Sequence, residues 1–168
     1  MSIRGITILA TNPTFAQLLR SPTLLLAFGF GSGLSPKAPG TVGTLAAIPL
    51  WWLLAQLPLN SYLVLVFIAA LAGVFICGRA AERLGVHDHG GIVWDEFVGF
   101  WIAMAALPVT WSSLLFGFVL FRLFDILKPW PISWLDKKVS GGFGIMIDDV
   151  IAGLAAAAVL YLAGMLTA

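Results

Sequence analysis

The chain has 168 residues, of which 60% are hydrophobic and only 10% charged, with a mean hydropathy of +1.00. A soluble domain carries about 25% charged residues, so this composition excludes an ordinary soluble fold and points to a membrane. A net charge of +1 gives no sign of a nucleic-acid partner, and a lone cysteine, Cys77, excludes an intramolecular disulfide framework.

The length suits one domain, 1–168. The expected fold is all-α, a polytopic membrane helix bundle of about four to five apolar helices with an N-terminal peripheral segment. Residues 1–20 are polar enough to lie outside the bilayer and lack a signal-peptide pattern. Thr14 is placed to cap a short helix over FAQLLR. Residues 23–30 are apolar but too few to span, and 29–44, dense in Gly and Pro, read as a loop. Five apolar segments follow, at about 42–59, 61–77, 92–107, 114–127 and 148–167. Several fall short of the roughly 20 residues of a full span, which leaves the number of complete crossings open.

If the segments alternate in direction, all 17 charged residues (9 basic plus 8 acidic) fall on one side or at its boundary. The turns on the other side, near Asn60 and Thr110, carry none. Lysines and arginines gathered on one face mark that face as cytoplasmic. An acid at the centre of a span would cost roughly 2.5–3.5 kcal/mol. Asp95, Glu96, Asp125, Asp148 and Asp149 are tolerable where helix ends meet at one depth and satisfy one another.

Asp95 and Glu96 open the third segment and point to different helix faces. Arg122, Asp125 and Lys128 follow at i, i+3 and i+6, a row in which a carboxylate stands between two cations. Pro129 and Pro131 end that helix and leave Lys128 at the rim. Asp148 and Asp149 begin the last segment after the Gly-rich turn 141–144, and Gly153 leaves room for a partner helix. Lys37, ahead of a Gly-containing helix start, adds charge to backbone N–H groups that suit an anion. Acids collect a hard cation and bases neutralise phosphate oxygens, so this pattern points to a metal-and-phosphate site.

Three other features carry less. Cys77 and Arg83 have cysteine-phosphatase spacing, but 78–82 reads as continuing helix and Glu82 would repel phosphate. His87, Asp88 and His89 resemble a metal cluster but suit a solvated loop. Asp136 reads equally well as a solvated loop acid.

Four stretches taken in order resemble the bacterial phosphatidylglycerophosphatase A family from about Leu25 onward. They are PKAPGTVGT from Pro36, DHGGIVWDE from Asp88, FRLFDILKP from Phe121 and GGFGIMIDD from Gly141. The resemblance implies an all-α enzyme of the bacterial inner membrane. Its implied reaction is magnesium-dependent hydrolysis of phosphatidylglycerophosphate to phosphatidylglycerol and inorganic phosphate. Set beside the residue pattern, it makes Asp95, Glu96, Asp125 and Asp149 the expected Mg2+ ligands, with Asp148 a further catalytic acid. Lys37, Thr41, Thr44, Arg122 and Lys128 are then the expected phosphate contacts. The spacing leaves open which acid of each adjacent pair binds the ion, and whether water or an aspartate attacks. It fixes no oligomeric state. The alternative from another class is a small ion or proton transporter using the boundary carboxylates.

Overall fold

The structure, a computed structural model, describes residues 2–3, 6–7, 12–86 and 89–167. Two two-residue strands, β1 (Ser2–Ile3) and β2 (Ile6–Thr7), pair antiparallel, a small departure from the all-α expectation. The described remainder is helical. α1 (Phe15–Leu19) starts at Thr14, whose N–H donates to the Gln17 side chain at 2.7 Å. α2 (Pro22–Ala27) has Ser21 as its N-cap, and a 3-10 stretch (Gly29–Leu34) follows.

The five apolar segments are all helices, but with shifted ends. They are α3 (Pro39–Leu54), α4 (Leu59–Leu84), α5 (Trp94–Ala103), α6 (Trp111–Leu127) and α8 (Gly141–Thr167). A short α7 (Ile132–Lys138) links the last two. Among the described residues only α4 and α8 are long and apolar enough to cross a bilayer by themselves, fewer than the four to five expected. At 1.5 Å per residue α4 runs about 39 Å, past the roughly 30 Å hydrocarbon core. The excess is the turn carrying Arg79, Glu82 and Arg83.

α5 is the centre of the molecule and accounts for part of the shortfall. It is ten residues long, about 15 Å, half the thickness of a bilayer. Trp94, Phe97, Val98, Phe100, Trp101 and Ala103 are all buried, so beyond Glu96 it is apolar all round, and it is enclosed by α3, α4, α6 and α8. Its C-terminal turn tightens, with Ala105 N–H bonding Ile102 O instead of Trp101 O. The Trp101 carbonyl then accepts from Tyr62 Oη on α4 at 2.6 Å. Indole N–H groups tie α5 outward as well, from Trp101 to Ala47 O and from Trp94 to Ala69 O. Leu63, Phe67 and Leu71 on α4, Leu115 and Val119 on α6, and Leu154 and Leu162 on α8 face outward and exposed. An apolar exterior of this extent suits lipid.

The largest correction concerns the start of α8. The turn is made by Gly141 alone, at φ 72, and the helix runs from there. Gly142 and Gly144 are helical residues at close approaches. A Cβ on Gly142 would strike Val74 O and Gly78 of α4, and one on Gly144 would strike Val139 O. Asp148 and Asp149 therefore lie two turns inside α8 and not at its first residue. Similarly, 39–41 belong to α3, because Ala38 at φ 46 turns the chain just ahead of Pro39.

Candidate active site

The beginnings of α3, α5 and α8 meet the ends of α4 and α6 at one end of the bundle. Gly142 lies against Gly78 near the end of α4, Gly40 against Glu96 and Arg122, and Lys128 against Asp148. α5 and α8 cross where both are glycine. A Cβ on Gly99 would meet Asp149 O and the Phe121 ring, and one on Gly153 would meet Gly99 O. That close crossing puts the first turn of α5 beside the Asp149 carboxylate. Asp95, Glu96 and Asp149 each offer an oxygen, and the three oxygens lie within 4.8 Å of one another.

Asp125 reaches the same place from α6. Its Oδ2 is 2.5 Å from Arg122 Nη1, which is also 3.8 Å from Glu96 Oε1. Asp125 is also close enough to Asp149 for their carboxylates to interact. Four carboxylates thus gather at one place, and one guanidinium pairs with two of them. Asp149 is buried, and among the described residues its Oδ1 and Glu96 Oε2 have no hydrogen-bond partner. Buried like charges with unpaired oxygens are costly unless a cation joins them. The donor set is all oxygen, the chemistry of a hard divalent ion. Opposite oxygens on one magnesium stand about 4.2 Å apart, so the spacing fits a single shared ion.

A cleft of about 350 Å³ opens over these acids, lined by Asp95, Glu96, Asp125, Lys128, Asp148 and Asp149 among others. Lys128 Nζ donates to Asp148 Oδ2 at 2.5 Å and to Asp136 Oδ1 at 2.7 Å. Burial lowers the pKa of this ammonium, but the hydrogen bonds to Asp136 and Asp148 outweigh it and hold it above the ordinary lysine range. It stays charged.

The structure brings six of the ten expected site residues onto this cleft. Arg122 stands behind the acids, paired to two of them, and does not line it. Lys37 is exposed on the loop before α3, and Thr41 is half-buried in the first turn; neither lines the cleft. Thr44 departs furthest from expectation. It is fully buried, and its hydroxyl donates to Gly40 O at 2.9 Å, the usual i−4 bond of a helical threonine. That proton is not offered to phosphate. Asp136 is the cleft residue the pattern left undecided, because no local spacing ties it to Lys128 across two prolines. Gly40 was passed over; a Cβ there would meet the Glu96 carboxylate and the Arg122 guanidinium.

Cys77 is buried within α4, its Sγ 3.9 Å from Met146 Sδ. Gly78 to Glu82 continues that helix, so no loop of free N–H groups cradles an anion there. Cys77→Ser should therefore retain turnover in a phosphate-release assay, and loss of activity without loss of folded protein would restore a thiol role. His87 and Asp88 lie outside the described residues. His89 accepts the Gly91 N–H at Nδ1, 3.0 Å away, and packs against Phe28.

The family model described as phosphatidylglycerophosphatase A matches residues 25–164. The chain is 53% identical over 147 residues to phosphatidylglycerophosphatase A of Escherichia coli (strain K12), covering 87% of this chain and 86% of that protein. It is 49% identical over 152 residues to phosphatidylglycerophosphatase A of Haemophilus influenzae, covering 89% of this chain and 93% of that one. No solved structure matches.

Proposed function

Because the chain belongs to the phosphatidylglycerophosphatase A family, we propose that its acid-lined cleft is where a lipid phosphomonoester is hydrolysed. The substrate is phosphatidylglycerophosphate, and the products are phosphatidylglycerol and inorganic phosphate. The bond broken joins phosphorus to the terminal glycerol oxygen. A water oxygen replaces it on phosphorus, one water proton passes to a cleft carboxylate, and the departing alkoxide takes up a proton to become the alcohol.

The observation that carries this reading is the meeting of Asp95, Glu96 and Asp149 from two helices, with Asp125 arriving from a third. Magnesium is the cation we assign, held by Asp95, Glu96, Asp125 and Asp149. Bound there, it supplies positive charge to the phosphoryl oxygens and acidifies an attacking water. Lys128, charged and on the cleft wall, neutralises a phosphate oxygen of the bound substrate and keeps that contact through the reaction. Arg122 keeps Glu96 and Asp125 turned toward the acid cluster. Asp148, held by Lys128, restrains the ammonium from the α8 side.

The same reading sets the protein in the bacterial inner membrane as a multi-pass protein, with the cleft on the cytoplasmic side. Supporting it are the charged helix ends gathered around the cleft and the uncharged turns 55–60 and 105–110 at the other end. A transporter would need polar groups continuing toward those turns.

Purified protein in detergent should release phosphate from phosphatidylglycerophosphate, stop when a chelator is added, and recover with excess magnesium. Release that ignores the chelator removes the metal from this reading. No release from the lipid removes the reaction.

A further inference from the structure

Asp136 lies on the rim of the cleft, on α7, eight residues beyond Lys128. The two meet because the chain reverses between them through Pro129, Trp130 and Pro131. Lys128 sits at φ 41 and ψ 57, a left-handed conformation that glycine ordinarily takes at a helix end. From there its side chain is held by carboxylates on two elements, Asp148 Oδ2 on α8 at 2.5 Å and Asp136 Oδ1 on α7 at 2.7 Å.

The second carboxylate is not needed to balance charge. The Asp148 side chain is 10% exposed and already pairs with the ammonium, whereas that of Asp136 is 40% exposed, where water would serve it. What Asp136 adds is direction. A lysine held at one point still swings on its four-carbon stem, and a second contact fixes the head. An ammonium has three N–H donors. Among the described residues two are committed to these aspartates, and the third is left for an oxygen in the cleft.

We propose that Asp136 is a positioning residue, which aims the Lys128 ammonium at a non-bridging oxygen of the substrate's terminal phosphate. It does so without touching phosphate itself. This rests on reading the cleft as a phosphate site.

Asp136→Ala should raise KM for the lipid by about tenfold, the worth of one charge-assisted hydrogen bond, with a much smaller change in kcat. Asp136→Glu should recover part of that loss. On a Lys128→Ala background, Asp136→Ala should add nothing. A merely structural role would lower thermal stability and activity whether or not Lys128 is present. Calorimetry with inorganic phosphate gives a second reading without turnover, and Asp136→Ala should weaken binding by a similar factor. Unchanged KM and phosphate affinity in Asp136→Ala, or losses that multiply with Lys128→Ala, would overturn the proposal. Wild-type protein that binds phosphate but does not turn over the lipid would overturn the reaction, while the calorimetric comparison still decides the role of Asp136.

Discussion

Asp149→Asn is expected to lower kcat by about 10³-fold, a loss of about 4 kcal/mol from the barrier, while making the metal-free protein more stable. The two effects run in opposite directions for one reason. Asp149 is 3% exposed and shares its surroundings with Asp95, Glu96 and Asp125. Without a cation, those carboxylates repel one another where burial leaves little water to screen them. The amide has the same shape and no charge, so it relieves that repulsion without opening a cavity. About 1 kcal/mol gained would raise the midpoint of thermal unfolding by about 2–4 °C in a chain of this size. With magnesium the order reverses. Ligand at a hundred times its Kd stabilises the wild type by about 2.7 kcal/mol, and the variant, lacking a ligand oxygen, gains much less. Thermal melts with and without magnesium, read beside phosphate release, check both halves. Wild-type turnover in Asp149→Asn would remove it from the ion.

How much of this was legible in the sequence depends on the kind of signal. Convergence of the charged ends was legible, because charge costs too much at the middle of a span and five apolar segments leave few ways to place it. Asp95, Glu96, Asp125, Lys128, Asp148 and Asp149 follow from that constraint, and they all line the cleft. Helix boundaries were less legible where glycine has two meanings. Gly142 and Gly144 read as a loop, yet they sit in α8 because α4 and the Val139 carbonyl press against them. A local pattern cannot tell a glycine that bends from one that makes room. The length of α5 was hidden for a related reason. Residues 97–107 are apolar throughout, and the stop at Ala103 comes from a tightened turn whose freed carbonyl Tyr62 caps from another helix. Thr44 was misjudged, and Asp136 was left undecided. A hydroxyl near a Gly-rich stretch suggested a ligand, but burial against its own helix uses it. An acid in a Pro-broken segment suits solvent and site equally, and the reversal at 129–131 returns it to Lys128.

Gly153→Val should reduce turnover by about 10²-fold through geometry alone, with every charged residue left in place. Gly153 is the point on α8 where α5 comes nearest. A Cβ there would collide with Gly99 O and stand 3.1 Å from both Gly99 C and Ile102 Cβ. Backbone cannot rotate away as a flexible side chain can, so the helices must part. Overpacking of this kind costs about 1–3 kcal/mol, and two extra methyl groups make valine worse than alanine. The displacement matters more than the cost. Gly153 lies one turn from Asp149, and Gly99 one turn from Asp95, so parting the crossing widens the spacing of the carboxylates themselves. A misplacement of about 1 Å is enough to cost about 10²-fold in rate. The magnesium concentration needed for half-maximal activity should therefore rise in Gly153→Val, less so in Gly153→Ala. Gly164→Ala, whose added Cβ meets nothing within 4 Å, should leave it unchanged. Turnover and magnesium dependence in Gly153→Val equal to wild type would mean that the α5–α8 crossing does not set the spacing of the acids.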